Sequence, residues 1–272
     1  MKLIFTLIKP EQNQLPMNKQ ITIDEAIQEL MPISLKEMDT ISLMDRVDSK
    51  FVFPAIYLPS ILESCKNQYK VLEINSIKKH QYDSLYFDDA TLNLYHKHHG
   101  QRLNRYKIRY RKYVNSNGLT FFEVKFKNNK ERTIKTRMKV NDINPILNNQ
   151  CKIFLSENSN LNVDMLVPTL NVQYDRITLV SNKLNERITL DLNLTYKVKG
   201  KSQQFPNVVI AEVKRNKVSE ITDFIRVLRR FKIREGGSSK YCLGIALLYN
   251  DVKKNNFKPN ISLFNKINQI KN

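Results

Sequence analysis

Glycine is scarce, with 6 in 272 residues. Little room is left for the glycine-rich loops that cradle nucleotide phosphates, and neither G-x-x-x-x-G-K-[S/T] nor G-x-G-x-x-G occurs. Cysteine is as sparse. Cys65, Cys151 and Cys242 lie far apart, and no C-x-x-C pair is present. Neither a disulfide framework nor a structural zinc site is expected, and a reducing compartment is the default. No apolar run approaches the eighteen residues of a membrane span, and the run at 3–8 is too short for a secretory leader. The expectation is a soluble, cytoplasmic chain, with Met17 as an alternative start. H-E-x-x-H and G-x-S-x-G are also missing, so hydrolysis through a covalent nucleophile is not suggested.

Negative charge is the other shortage. Asp and Glu number 26 against 45 Lys and Arg, a formal net charge of +19. That excess predicts a polyanionic partner: nucleic acid, an anionic membrane, or a phosphate-rich small molecule or polymer. What is present in quantity is core material. The chain is 41% hydrophobic, with 12 Tyr and 13 Phe, which excludes wholesale disorder and suits one large domain or two small ones.

The organisation is mostly that of strands. In 107–112, Lys107, Arg109 and Arg111 alternate with Ile108 and Tyr110; in 122–127, Glu123, Lys125 and Lys127 alternate with Phe122, Val124 and Phe126. In 134–140, Lys135, Arg137 and Lys139 form the charged side. Tyr174, Arg176 and Thr178 share a face, as do Arg187, Thr189 and Asp191, and as do Glu212 and Lys214. Successive side chains on a strand point to opposite faces, so each strand has an apolar and a charged side. For one strand the plain explanation is a solvated outer face. A solvated face, however, normally mixes signs, because like charges on neighbouring strands repel. Six segments dominated by one sign fit charged faces that line a concavity holding an anion. The repeated Glu-Val-Lys at 123–125 and 212–214 hints at two related halves, and a closed barrel would remove the edge strands.

Helices are expected at 21–30 with Asp24 near the start, after Pro54, after Asp88 and Asp89, and at 218–231, where Val218, Ile221, Phe224, Ile225, Leu228 and Phe231 follow a 3.6-residue period. The expected division is a peripheral segment at 1–40, the main domain at 41–250 and a polar surface tail at 251–272. His96, His98 and His99 cluster, but no Cys or carboxylate follows at ligand spacing, so a surface turn after a helix is favoured over a metal site.

Basic residues facing a cavity suit phosphoryl transfer, which needs phosphate oxygens held in line and their charge neutralised, with a divalent metal bridging them. Arg can clamp two oxygens and Lys acts as a point charge. Glu123 and Glu212 stand among the cations, and each could be an ion-pair partner or a ligand for Mg²⁺ or Mn²⁺. Bound anions are expected even in purified protein.

Eight segments carry a resemblance when read in order: Arg46-Val-Asp48-Ser-Lys50-Phe, Ser84-Leu-Tyr86-Phe-Asp88, 104–113, Glu123-Val-Lys125, Tyr174-Asp-Arg176, Arg187-Ile-Thr-Leu-Asp191, Glu212-Val-Lys214 and Ser239-Lys240-Tyr241. From about Met44 to about Tyr249 the chain resembles the VTC domain, the polyphosphate polymerase branch of the triphosphate tunnel metalloenzymes. The resemblance implies an α+β fold: an eight-stranded antiparallel β tunnel with flanking helices and a basic interior. It implies transfer of the γ-phosphate of ATP to polyphosphate with Mn²⁺ or Mg²⁺. The residues themselves lead to the expectation of no nucleic-acid partner, since Phe122 and Phe126 alternate away from the charged face, and of no membrane span, so the membrane helices of the family's eukaryotic polymerases are missing here. Carried across, Lys50, Arg109, Arg111, Lys125, Arg176, Arg187 and Lys240 are the implied catalytic positions. Lys107, Lys127, Lys135, Arg137, Tyr174, Lys214 and Ser239 are implied substrate contacts, and Glu212 the implied metal ligand. Lys127 stands where a fungal relative has His. The first strand reads Arg46, Asp48, Lys50 where the related hydrolases carry paired glutamates, which favours the polymerase branch. A triphosphatase in the same tunnel and a non-catalytic polyanion-binding module are the alternatives.

Overall fold

The computed structural model describes residues 21–39, 46–130, 132–183, 185–216, 221–237 and 239–270. Met17 and Val218 lie outside them. Among the described residues the elements run α1 (Ile23–Gln28), β1 (Pro32–Ile33), α2 (Leu35–Asp39), β2 (Arg46–Pro54), α3 (Leu58–Cys65), β3 (Tyr69–Leu72), β4 (Lys79–Asp89), α4 (Asn93–His99), β5 (Arg105–Tyr113), β6 (Leu119–Lys127), β7 (Thr133–Val140), α5 (Asn149–Asn158), β8 (Leu166–Ser181), β9 (Glu186–Val198), β10 (Lys201–Phe205), β11 (Val208–Asn216), α6 (Asp223–Arg230), α7 (Lys240–Leu248) and α8 (Lys258–Asn268).

Eight strands make one antiparallel run in the order β2-β11-β9-β8-β4-β5-β6-β7, with β1, β3 and β10 at its margins. This is the expected α+β architecture, a large antiparallel sheet with flanking helices. It differs from the expectation in not closing, since β2 and β7 are not hydrogen-bonded to each other. The outer edge of β2 is taken up otherwise. Gly236 N–H donates to the Lys50 carbonyl at 2.8 Å, and Phe51 bridges to Glu235. The segment before α7 thus occupies an edge that β7 would need.

Alternation builds the two faces. On one side Phe51, Phe53, Val209, Ala211, Val213, Ile188 and Leu190 are buried against α1, α3 and α6. Further along, Ile108, Tyr110, Phe122 and Val124 are buried with Cys151 and Leu155 of α5. The opposite, concave side is divided. Val52, Leu170, Val172, Tyr196 and Ile210 form an apolar floor under α7, together with Tyr241, Cys242 and Ile245. Gly244 makes that docking possible, because a Cβ there would stand 2.5 Å from Leu170 Cδ2 and 2.6 Å from Tyr196 Cδ1. The rest of the concave side carries the charges.

Several local expectations change. Pro54 ends β2, and α3 begins at Leu58 with Pro59 in its first turn, where the missing N–H costs no hydrogen bond. The helix expected at 218–231 starts at Asp223, because the Thr222 side chain caps it by accepting from Ile225 N–H. Segment 21–30 is not peripheral: Thr22 and Glu25 form a capping box, and Ala26, Ile27 and Leu30 are buried in the main core. The expected polar tail contains α8. Its Phe264 and Ile267, with Phe257 before it, are buried under the apolar floor, and Asn207 donates to the carbonyls of Asn268 and Ile270. A stripe recurring every third or fourth residue sufficed, despite the Asn and Lys between. No helix among the described residues is long and apolar enough to cross a membrane.

Candidate polyanion site

Strand register places the charged side chains on one surface. Lys50 of β2 is paired with Glu212 of β11, and Asp48 with Lys214. Glu212 faces Thr189 of β9, Lys214 faces Arg187, and Asp191 faces Arg176 of β8. Arg176 neighbours His80 of β4, Tyr174 neighbours Tyr82, and Tyr86 and Ser84 neighbour Arg109 and Arg111 of β5. Arg109 faces Glu123 of β6, Lys107 faces Lys125, and Lys125 faces Lys135 of β7. Pleating therefore carries the positions of the charged sequence segments around one concave surface.

Two buried carboxylates organise part of the surface. Glu123, 2% exposed, pairs with Arg109 at 2.8 Å, Lys135 at 2.9 Å and Arg111 at 3.6 Å. Burial opposes its ionisation, but Arg109 and Lys135 outweigh burial and hold the carboxyl below its ordinary value. Asp191 accepts from both Arg176 Nε and Nη2, at 2.6 and 2.8 Å, and from Lys240 at the start of α7. Its carboxyl is likewise held low, with Arg176 and Lys240 overcoming burial. Below these groups lies an aromatic floor. Tyr82 and Tyr174 stack at 5.2 Å, and the Arg176 guanidinium lies 5.0 and 5.2 Å from their ring centroids. Lys240 Nζ is 4.7 Å from the Tyr174 centroid, and Arg109 lies over Tyr86, whose hydroxyl it reaches at 2.8 Å. The rings fix the cations without neutralising them.

The remaining part is different. A cavity of about 310 Å³ is lined by Asp48, Lys50, Lys125, Glu212, Glu235, Gly236 and Gly237. Among the described residues, Lys50, Lys107 and Lys125 have no carboxylate within ion-pair distance, whereas Lys214 holds Glu212 at 2.8 Å and Asp48 at 3.4 Å. Glu212 keeps 24% of its side chain exposed. Burial opposes its charge, yet Lys214 and Lys50 hold it ionised far below the ordinary range. A larger cavity, about 440 Å³, lies elsewhere, under the loop after β7, and touches none of these groups.

The structure thus brings together three groups of the expected residues: Lys50, Lys107, Lys125, Lys214 and Glu212; Arg109, Arg111 and Lys135 on Glu123; and Arg176, Lys240 and Tyr174 on Asp191. Others stand apart. Arg187 donates to the Met38 carbonyl of α2 at 3.1 Å. Arg137 packs on the Phe121 ring at 4.6 Å. Lys127 is beside Arg105 at the far end of β6, and Ser239 holds the N-cap position of α7. Of the two carboxylates left open in the sequence, Glu123 is an ion-pair partner, while Glu212 has both an ion pair and access to a cavity. Sequence reasoning passed over Tyr82, Ser84 and Tyr86, whose alternation on β4 was legible, and over Asp191 as a site residue. His98, assigned in the sequence with His96 and His99 to a surface turn, lies on the last turn of α4 with its Nδ1 sealed from solvent.

A family profile described as the VTC domain matches residues 45–249. No curated protein matches the chain. Several solved structures are similar to it, three of them as follows. A candidate adenylate cyclase from Vibrio parahaemolyticus is 15% identical, with 74% of this chain and 97% of that one covered and a TM-score of 0.43. Another from Bacillus halodurans is 12% identical, with 76% and 100% covered and a TM-score of 0.46. A candidate adenylyl cyclase from Hippeastrum, described as having a dominant triphosphatase activity, is 13% identical, with 76% and 98% covered and a TM-score of 0.44.

Proposed function

We propose, from the premise that this chain belongs to the VTC domain family, that it transfers the γ-phosphoryl group of ATP to a growing polyphosphate chain on its basic concave surface. The observation that carries the reading is the triad Lys50, Lys107 and Lys125. Its amines have no acid partner among the described residues, and Lys50 and Lys125 line a cavity with the ionised carboxylate of Glu212. Like charges left unpaired beside a cavity are mutually repulsive, and an anion there offsets that cost.

Each group has a task in this reading. Arg176 and Lys240, fixed on Asp191 and on the tyrosine floor, hold phosphate oxygens by charge-assisted hydrogen bonds, each contributing about 1.5–3 kcal/mol. Arg109 and Arg111, anchored on Glu123, extend that grip. Lys50, Lys107, Lys125 and Lys214 neutralise charge as it spreads over the oxygens in the transition state. A terminal phosphate oxygen of the acceptor attacks the γ-phosphorus, a new P–O bond forms, the bond to the β-phosphate oxygen breaks, and ADP leaves. The attacking oxygen is already ionised at neutral pH, so no general base is required. Water as nucleophile would give the triphosphatase reading instead.

The donor set fits a hard divalent cation. Glu212 offers an ionised, partly exposed carboxylate at the cavity, and Mg²⁺ or Mn²⁺ characteristically takes one or two carboxylates plus substrate phosphates. When bound, such an ion supplies charge neutralisation at the phosphate oxygens. Phe122 lies on the other side of β6, wholly buried, and the tyrosines of the charged side, Tyr82, Tyr86 and Tyr174, are buried beneath the cations, so stacking on nucleic-acid bases is not supported.

The test is incubation with ATP and Mn²⁺, with products resolved by gel and ³¹P NMR. Polyphosphate with ADP supports the reading. Orthophosphate alone replaces it with the triphosphatase, and binding of polyphosphate without turnover replaces it with a polyanion-binding module.

A further inference from the structure

Two adjacent glycines in the segment before α7 answer to different demands. Gly237 has φ +156°, and a Cβ there would stand 3.1 Å from Lys50 Cβ, so backbone and packing both call for glycine. Gly236 is under neither demand. Its φ is not positive, and a Cβ added to it would meet nothing within 4 Å. Strand pairing fixes the direction of that open space. Gly236 N–H donates to the Lys50 carbonyl at 2.8 Å, and the preceding Glu235 bridges antiparallel to Phe51. Residues that face one another across an antiparallel pair share one side of the sheet. Phe51 is buried in the core on the side away from the concave surface, so Gly236, one residue on, faces the concave side with Lys50. Both line the cavity of about 310 Å³ that also receives Lys125 of β6 and Glu212 of β11. The cavity thus reaches from the segment on the edge of β2 to a strand near the other end of the run. Gly236 is the part of its wall where a side chain would fit and none is present.

We propose that Gly236 is a specificity-determining position, whose missing side chain leaves the clearance for an unbranched phosphate chain to lie between the segment before α7 and the cations Lys50 and Lys125. The inference rests on the reading that the concave surface takes a polyphosphate-type anion; it does not require turnover. A phosphate chain is narrow, a row of tetrahedra without side groups, and its oxygens can approach a bare backbone closely. Lys50 and Lys125, with no carboxylate within ion-pair distance among the described residues, stand across that clearance. The wall and the cation are held as one unit, because the bond that fixes Gly236 ends on the carbonyl of Lys50 itself. A side chain at position 236 would enter the cavity and compete with the chain for the same space. It would strain no backbone dihedral and displace no packed neighbour. Substitution therefore acts on the ligand and not on the fold, the reverse of what is expected at Gly237.

The experiment uses the full chain and inorganic tripolyphosphate. Gly236→Ala, Gly236→Val and Gly236→Phe should bind it progressively more weakly, the last two by at least about tenfold, while the melting temperature stays at the wild-type value. Affinities of Gly236→Val and Gly236→Phe within about twofold of wild type, or a loss of affinity that follows a lowered melting temperature, overturn the proposal. A second measurement needs no bulky substitution. Cys65, Cys151 and Cys242 are all buried, so in Gly236→Cys the added thiol is the one open to N-ethylmaleimide. Saturating tripolyphosphate should slow its labelling at least about tenfold, and sodium chloride of equal ionic strength should not. Labelling as fast with the anion as with the salt overturns the proposal. Wild type that binds tripolyphosphate but makes no polyphosphate from ATP overturns the enzymatic reading alone. Wild type that makes polyphosphate, with variants at 236 that bind as it does, overturns this inference alone, and failure of wild type to bind tripolyphosphate overturns both.

Discussion

Asp191 of β9 grips Arg176 of β8 with both carboxylate oxygens, at 2.6 and 2.8 Å, while Lys240 reaches the same carboxylate from α7. Asp191 is 1% exposed. The fork geometry fixes the guanidinium plane, and the Tyr82 and Tyr174 rings beneath it prevent tilting. One buried acid therefore ties two strands of the sheet to the helix that fills its concave side.

Asp191→Asn should be strongly destabilising, because it leaves two enclosed cations without their acid. Breaking a buried pair from one side costs about 3–5 kcal/mol. The sign with pH follows from the lowered folded-state value: burial disfavours the Asp191 charge, but Arg176 and Lys240 prevail. Its contribution is complete above the unfolded carboxyl value, about pH 4, and is lost as pH falls through the lower folded value. Melting temperature should thus fall in wild type between about pH 5 and pH 3, and Asp191→Asn should show a shallower acid slope. Parallel slopes in the two proteins would contradict this assignment.

Lys50→Met is expected to act in opposite directions on stability and on binding. Burial above all holds the Lys50 ammonium below its ordinary value, and Lys240 and Lys214 repel it while Glu212 only partly compensates. A lysine with a depressed folded-state value weakens the fold at every pH below that value, and the penalty fades as pH rises through the unfolded value. Removing the charge should leave the neutral-pH melting temperature equal or higher. Tripolyphosphate affinity should drop about tenfold, and its decrease with added salt should become less steep. A lower melting temperature together with unchanged affinity would assign Lys50 a structural role.

Gly244→Ala probes the docking of α7. The added Cβ would meet Leu170 Cδ2 at 2.5 Å and Tyr196 Cδ1 at 2.6 Å, and both side chains are wholly enclosed in the apolar floor. Overpacking of this kind costs about 1–3 kcal/mol. Chemical denaturation should show that loss, even though alanine favours helix over glycine by roughly 1 kcal/mol. A gain in stability would mean that α7 has room to shift.

Much of this arrangement was legible in the residues, for a physical reason. A strand's alternation is strict, so Lys107-Ile108-Arg109 or Glu123-Val124-Lys125 declares two faces without knowledge of neighbours. The repetition of one sign across strands declared that the charged face was shared. What could not be read is what meets across the surface. Whether Glu123 or Glu212 would be consumed by ion pairs depends on which strands neighbour theirs, a property of register. The open edge of β2 depends on the chain just before α7, where Gly236 takes the Lys50 carbonyl. His98 looked like part of a surface turn because the packing that seals its Nδ1 from solvent comes from outside its own segment. The α8 stripe of Phe264 and Ile267 was masked by the Asn and Lys between them.

Glu212→Gln separates the metal role from the ion-pair role. Glutamine keeps the shape and can still face Lys214, but it loses the charge that a hard divalent cation requires. The wild-type carboxylate remains ionised across the physiological range, since Lys214 and Lys50 overcome the effect of burial, so turnover should show no acid limb from this group near neutrality. The variant should lose polyphosphate synthesis by at least about a hundredfold. Tripolyphosphate binding without metal should hold or tighten, because one negative charge has left a cationic site. Lys214, 19% exposed and still paired with Asp48 at 3.4 Å, has a second partner, so the melting temperature should change little. Wild-type protein treated with a chelator should reproduce the loss of synthesis and recover on adding Mn²⁺, whereas the variant should not recover. Equal synthesis by wild type and Glu212→Gln would remove Glu212 from the reaction and leave it as the partner of Lys214.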